Sequence, residues 1–341
     1  MQLDFHQSKA IDILLGLPAS TKKYLSFSGG KDSTALLGLA LLATQEGFSN
    51  WEVVHSNTLM EIPMMDAHIE ECQKLCKERG IIFHYAIPDV ESRFFYQLIG
   101  KGVPTPHRNF RWCTDKLKIK PIEKIVKASQ EAYIGINGER LGESNNRDKK
   151  LKGQCDSTNE CGITEQDKKK VFRHLCRPLL NFSTCQVWDT LAVLDLSEVL
   201  PDAFNRLEMI YSISEQNSGD SLRTGCIGCP LIKKDKSLER FVNVHPGYSP
   251  LTDLAAIYLS FREKSNRIMR PDGKLLGAVL LSHRKAMYER ILDIEASVKQ
   301  NHPNFTLIHP EEKLAINTAL AKQRYPKGYS REYLKSVGAI D

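Results

Sequence analysis

The run Ser28-Gly29-Gly30-Lys31-Asp32-Ser33 stands between two apolar stretches, Tyr24-Leu25-Ser26-Phe27 and Thr34-Ala35-Leu36-Leu37-Gly38-Leu39. Apolar run, glycine turn, apolar run predicts a strand that feeds the N-terminus of a helix. Backbone N–H groups of such a turn form a cradle for a polyphosphate. Lys31 can meet oxyanion charge, Ser28 and Ser33 can add hydrogen bonds, and Asp32 can cap the helix or help hold a metal. The spacing is not that of the Walker A loop, which is longer before its Lys-Ser/Thr pair.

Further strand–helix alternation follows. Strands are predicted near 24–28, 51–56, 81–87 and 133–136, and helices from Ser33 to about Thr44, over 64–79 and over 121–128. Short turns between such units point to a mostly parallel sheet covered by helices, with ligand groups at the carboxyl ends of its strands. Gly138-Glu139-Arg140, Glu143-Ser144 and Arg147 follow the strand at 133–136 and so belong at that edge. Arg140 and Arg147 carry forked donors suited to phosphate, although ion pairs with Glu139 or Glu143 would use the same groups. Ser183 precedes an apolar helix pattern as a capping residue. Beyond about residue 190 the chain reads as mainly helical. The expected division is 1–240 and 241–341.

With 341 residues, 47 basic against 41 acidic and a formal charge of +6, the chain is long enough for a large core and compatible with, though not diagnostic of, a nucleotide or nucleic-acid partner. It has no apolar run of membrane-spanning length, and its start has no signal-peptide character, so a cytoplasmic protein with no membrane partner is expected. Nine cysteines, an odd number, argue against a secreted disulfide scaffold. Cys226-Ile227-Gly228-Cys229 can grip a metal centre from adjacent corners, but one such pair is half of a four-ligand site. Zinc, a redox pair and structural thiols stay open for it. Cys72 and Cys76, at i and i+4, read as buried small apolar residues.

Taken in order, the Ser28–Ser33 loop, His55-Ser56-Asn57-Thr58, Arg111-Trp112-Cys113 through Pro121, the Gly138–Arg147 element and Arg177-Pro178-Leu179 resemble the adenine-nucleotide α-hydrolase superfamily, in its phosphoadenylylsulfate-reductase-like branch of PP-loop ATP pyrophosphatases. The likeness covers roughly residues 20–240. It implies an α/β fold with a mostly parallel sheet. It also implies binding of ATP and Mg²⁺ by Ser28, Gly29, Gly30, Lys31, Asp32, Ser33, Asn57, Gly138 and Arg140, with Lys31, Asp32, Arg140 and Arg147 as catalytic groups. Asn57 stands where the reductases carry an acid.

Arg223-Thr224-Gly225-Cys226-Ile227-Gly228-Cys229 and the following Lys234-Asp235-Lys236-Ser237-Leu238 are similar to the ATP-pyrophosphatase subunits of DNA phosphorothioation, the DndC and SspD type. That likeness implies DNA as acceptor, a cysteine desulfurase as sulfur source, other phosphorothioation subunits as partners and a 4Fe–4S cluster. In iron–sulfur members of the wider branch a cysteine of the 111–121 element joins the later pair, which makes Cys113 the third ligand. The DndC type places further cysteines just upstream of its pair, and residues 190–225 here have none. Cys176, Cys161 and Cys155 are the candidates for the fourth, with Cys176 favoured. RNA or small-molecule thiolation, a sulfonucleotide reductase and a non-catalytic DNA-binding component are the competing expectations. The reductase is disfavoured because its catalytic cysteine is carboxyl-terminal, and here no cysteine follows Cys229.

Overall fold

The structure is a computed structural model that describes residues 2–129, 131–142, 163–166, 171–211, 225–232 and 235–340. These fall into two compact units. The first is drawn from Met1–Ser56, Pro63–Ala86 and Pro121–Thr224, and the second from Asn57–Ile62, Ile87–Lys120 and Gly225–Asp341.

The first unit runs α1 (Phe5–Leu15), β1 (Lys22–Phe27), α2 (Lys31–Gln45), β2 (Trp51–His55), α3 (Pro63–Glu78), β3 (Phe83–Tyr85), α4 (Lys120–Ala128), β4 (Tyr133–Ile136), β5 (Ile163–Glu165), β6 (His174–Cys176), α5 (Thr184–Leu196) and α6 (Ala203–Tyr211). The sheet order is β3-β2-β1-β4-β6-β5, and every neighbouring pair is parallel except β5 with β6. β2 is buried along its whole length, as expected where helices cover both faces of a parallel sheet. Helix α2 is apolar on nearly every side and buried from Ser33 to Ala43, because α1 and α5 both pack on it. A second apolar cluster, Tyr24, Val54, Ala86 and Val126, gathers β1, β2 and α4. Ser183 and Gln186 close a reciprocal capping box at the start of α5.

The strand order reverses direction between β1 and β4, so the carboxyl ends of those two strands flank the topological switch point. In open α/β sheets that is where ligands bind. Ser28–Gly30 leaves β1 at this edge, and Asn137–Arg140 leaves β4.

The second unit is mainly helical: α7 (Lys236–Val244), α8 (Leu254–Ser260), α9 (Leu281–Asn301), α10 (Pro310–Ala321) and α11 (Arg331–Ser336), with one antiparallel hairpin, β7 (Arg267–Met269) and β8 (Leu276–Val279). A wide helical turn, Tyr96–Gly100, is held at both ends by buried polar side chains. Glu312 of α10 accepts from Tyr96 N at 2.9 Å, while the fully buried Arg284 of α9 donates to the carbonyls of Ile99 and Gly100 at 3.1 and 3.0 Å. Among the described residues no helix is long and apolar enough to cross a membrane.

Candidate functional site

At the switch point the Ser28–Ser33 loop is tied to itself. Ser28 N donates to Ser33 Oγ at 3.2 Å, and Ser33 Oγ donates to the Gly30 carbonyl at 2.9 Å. Gly29 has φ +76°, and a Cβ there would stand 2.7 Å from Met65 Sδ and 2.8 Å from Ile69 Cγ1. Only glycine satisfies both demands. Gly30 takes the cap position of α2 and supplies no side chain to the first-turn N–H groups, which leaves the positive end of a 15-residue helix facing the loop. Gly138, arriving from β4, packs against the backbone of Asp32 and Ser33; a Cβ there would lie 3.1 Å from Asp32 C and O.

Asp32 is the hub of charge. One carboxylate oxygen meets Lys31 Nζ at 2.7 Å and the other pairs with Arg140 Nε. Arg140 is buried, and its Nη1 donates to the Phe182 carbonyl at 3.0 Å. Its partner is thus Asp32, far away in sequence, while the adjacent Glu139 pairs with Arg177 at 2.9 Å. Lys31 Nζ also stands 5.4 Å from the centre of the Tyr211 ring. Arg147, Glu143 and Ser144 lie outside the described residues, as do Cys155, Cys161, Arg223, Thr224 and Lys234.

Beneath the loop lies a network that the sequence did not announce. His68, fully buried on α3, accepts from Arg206 Nε at Nδ1 (3.3 Å), which places the proton on Nε2, where it faces Thr34 Oγ1 at 3.0 Å. Thr34 Oγ1 in turn donates to the Gly29 carbonyl at 3.5 Å. Burial, and then the Arg206 charge, push the His68 pKa down to about 3, so the ring is neutral. The unfolded chain binds that proton near pH 6.5, and the folded chain does not until near pH 3. The contribution of His68 is therefore complete above pH 6.5 and is lost as pH falls through that window, at no more than about 1.4 kcal/mol per pH unit. Denaturation of His68→Gln, which keeps a donor toward Thr34, should show a shallower loss of stability between pH 6.5 and 4 than the parent. Equal slopes would remove this assignment.

In the second unit, Cys226 and Cys229 close a tight turn through Cys229 N and the Cys226 carbonyl (3.1 Å), with Gly228 at φ +62° against Tyr258 and Leu254. Ile227 N donates to the Met60 carbonyl at 2.7 Å, and Thr58 Oγ1 stands 3.6 Å from Cys226 Sγ. Asp235 lies near the Gly228 and Cys229 amides and caps α7, accepting from Leu238 N at 3.0 Å. Burial pushes the Cys226 thiol up to about 11, with the Lys118 ammonium opposing it, and raises Cys229 and Cys113 as well; the nearby Cys229 thiol raises both Cys113 and Cys226 further. Cys113, Cys226 and Cys229 therefore share one neighbourhood. Among the described residues, no three His, Cys, Asp or Glu side chains converge as a site for a metal ion. Cys176 lies in β6 of the first unit, fully buried, and Cys72 and Cys76 are core thiols on α3. Asn57 belongs to the second unit and closes a local turn by accepting from Leu59 N at 2.9 Å.

Two uncharacterized proteins of Methanocaldococcus jannaschii are similar to the chain. One is 28% identical over 247 residues, covering 68% of this chain and 41% of that protein. The other is 25% identical over 185 residues, covering 53% and 39%. The chain thus spans about two fifths of the length of the curated relatives it matches. Among solved structures, Candida glabrata FMN adenylyltransferase in complex with FAD and inorganic pyrophosphate is similar over 55% of this chain and 54% of that one, with 16% identity and a TM-score of 0.36. U34-tRNA thiolase NcsA from Methanococcus maripaludis, with its 4Fe–4S cluster, is similar over 63% and 74%, with 16% identity and a TM-score of 0.39. The model of the phosphoadenosine phosphosulfate reductase domain matches residues 22–199, from the first residue of β1 through the end of α5, which is more than half of the chain and takes in both edges of the switch point. The chain belongs to the phosphoadenosine phosphosulfate reductase domain family.

Proposed function

We propose that the chain is a PP-loop ATP pyrophosphatase that cleaves ATP between its α- and β-phosphates to activate an oxygen for replacement by sulfur. The observation that carries this reading is the Asp32 carboxylate held between Lys31 and Arg140 at the open N-terminus of α2, on the switch point of the sheet. First-turn N–H groups, Ser28 and Ser33 hold the phosphates, and Lys31 meets the charge that builds on the leaving pyrophosphate. Asp32 and the phosphates are the groups that would hold Mg²⁺, which would supply further positive charge there. Gly138 keeps the β4 edge close to the loop, and Asn57, Arg140 and Arg147 complete the proposed nucleotide set.

The acceptor in this reading is a non-bridging oxygen of the DNA backbone. It attacks the α-phosphorus and pyrophosphate leaves. A persulfide sulfur handed on by a cysteine desulfurase then attacks the DNA phosphorus and displaces AMP, which carries the oxygen away. A thiol reductant supplies the two electrons that cleave the remaining S–S bond and leave sulfur on phosphorus. Cys113, Cys226 and Cys229, with Cys176 as the fourth, are the proposed ligands of a 4Fe–4S cluster, and other phosphorothioation subunits complete the assembly. ATP labelled in its α-phosphate, incubated with DNA with and without the desulfurase, should yield labelled AMP and unlabelled pyrophosphate. ADP with inorganic phosphate, or no turnover with any partner, would overturn the reading.

A further inference from the structure

The chain between Pro106 and Trp112 presents His107, Arg108, Asn109, Phe110 and Arg111 to solvent in succession. His107 and Phe110 exchange both backbone hydrogen bonds, 3.2 and 2.8 Å, so Arg108 and Asn109 form the tip of a two-residue turn. Their rings lie side by side, centroids 5.8 Å apart, and the His107 ring is pinned by the bond from Asn109 N to Nδ1 at 3.3 Å. Phe110 is 38% exposed, an apolar ring facing water.

Both stems of the turn are anchored. Thr105 is buried and donates to the Tyr258 carbonyl at 2.8 Å, and Arg262 donates to the Pro106 carbonyl. On the other side Trp112 stacks on Phe94 at 5.6 Å and donates to the Pro104 carbonyl at 2.9 Å. The tip is therefore held rigidly while its side chains stay outside. Arg108 and Arg111 make no ion pair with the described residues. From 107 to 120 five cations face one carboxylate, Asp115, which Lys120 occupies at 3.0 Å.

We infer that this turn is a docking surface for an unpaired nucleic-acid strand, the His107–Phe110 ring pair stacking on a base and Arg108 and Arg111 taking the flanking phosphates. A polyanion of acidic side chains would account for the arginines but would leave the rings exposed. Stacking on a planar π-face uses both groups, and of nucleic acids an unpaired strand offers that face along its length where a duplex does not. The proposed contacts, ring stacking and arginines on phosphates, carry no base-edge readout, so binding is tolerant of sequence.

The test uses the full chain and no ATP, so its outcome is separable from that of the pyrophosphatase reading. Labelled oligo-dT and oligo-U of fifteen nucleotides, a fifteen-pair duplex and polyglutamate serve as probes, followed by fluorescence anisotropy over a salt series. Arg108→Ala with Arg111→Ala should weaken single-strand binding at least tenfold and flatten the log–log salt slope by about 1.4, that is about 0.7 for each phosphate contact. Phe110→Ala should weaken it about tenfold with the slope unchanged, and Phe110→Tyr should retain it. All these side chains are exposed, so the variants should melt with the parent. Equal weakening by Lys74→Ala with Lys77→Ala, exposed cations on α3 of the first unit, overturns the proposal. So does indifference to Phe110→Ala, equal binding of the duplex, or equal binding of polyglutamate, the last of which makes the surface one for an acidic protein.

Discussion

Asp32→Asn is expected to damage both the fold and turnover, whereas Lys31→Ala should damage turnover alone. Among the described residues Asp32 is the only carboxylate on Arg140, whose side chain is 5% exposed, and removing its charge leaves a buried guanidinium with neutral partners, the Phe182 carbonyl and Thr184. Breaking a fully buried pair costs about 3–5 kcal/mol; Asp32 itself is partly open to water, so a loss of about 2–3 kcal/mol is the expectation. Lys31, by contrast, sits in a pair that water reaches, worth about 0–1 kcal/mol. In turnover the two converge. On the proposed function each variant removes positive charge from the phosphate end, Lys31→Ala directly and Asp32→Asn through the Mg²⁺ that Asp32 would hold, an effect of about 10²–10³ in rate. Urea denaturation and AMP release, measured on the same preparations, separate the two roles. A stable Asp32→Asn protein would show that Arg140 is held by the carbonyl instead, and full turnover in Lys31→Ala would take the ammonium away from the phosphates.

What made this site legible in sequence was the abrupt change from apolar run to glycine and back. β1, α2, β2, α3 and β4 all fall where such runs end, because a buried parallel strand or helix cannot continue through Gly29-Gly30 or into Asn137-Gly138. The third strand is shorter than its apolar run, Phe83–Tyr85 in place of 81–87, since its residues are only half buried at an edge and Ile82 and Ile87 face solvent. β5 and β6 carry three residues each, too few to show a period, and β5 is held by antiparallel pairing to β6 rather than by its own pattern. The Tyr96–Gly100 turn depends on Arg284 and Glu312, about two hundred residues later, and no local pattern contains them. Arg140 shows the same limit within the site: Glu139 is its neighbour in the chain, but the turn after β4 sends the two side chains to different partners. His68 was hidden for another reason. On an amphipathic helix with Cys72 and Cys76 it reads as core, and core is what it is; only its bonds to Thr34 and Arg206 connect it to the loop.

On the proposed cluster, the anaerobically purified parent and Cys185→Ala are expected to carry iron and acid-labile sulfide, and Cys226→Ala and Cys113→Ala to lose most of both. The turn at Cys226–Cys229 is held by the chain itself: Cys229 N donates to the Cys226 carbonyl, Gly228 takes the left-handed conformation, and Met60 anchors Ile227. Its thiols are neutral because burial disfavours the thiolate, and Lys118 is the nearby cation that favours ionisation. A cluster bound there would replace three partly buried thiols by metal bonds between the segments at 113 and 226–229, so binding energy becomes folding energy for the second unit. Chelation should accordingly lower the melting temperature of the parent and leave that of Cys226→Ala unchanged. Cys185 is exposed at the start of α5 and controls for general thiol loss. Cys176→Ala is the discriminating variant. As a ligand it drops iron along with Cys113→Ala; as a packed core thiol of β6 it costs about 1–3 kcal/mol of stability and leaves iron in place. Full iron in Cys113→Ala would remove the three-thiol assignment, because Cys113 is the one member that the Cys226–Cys229 turn does not itself supply.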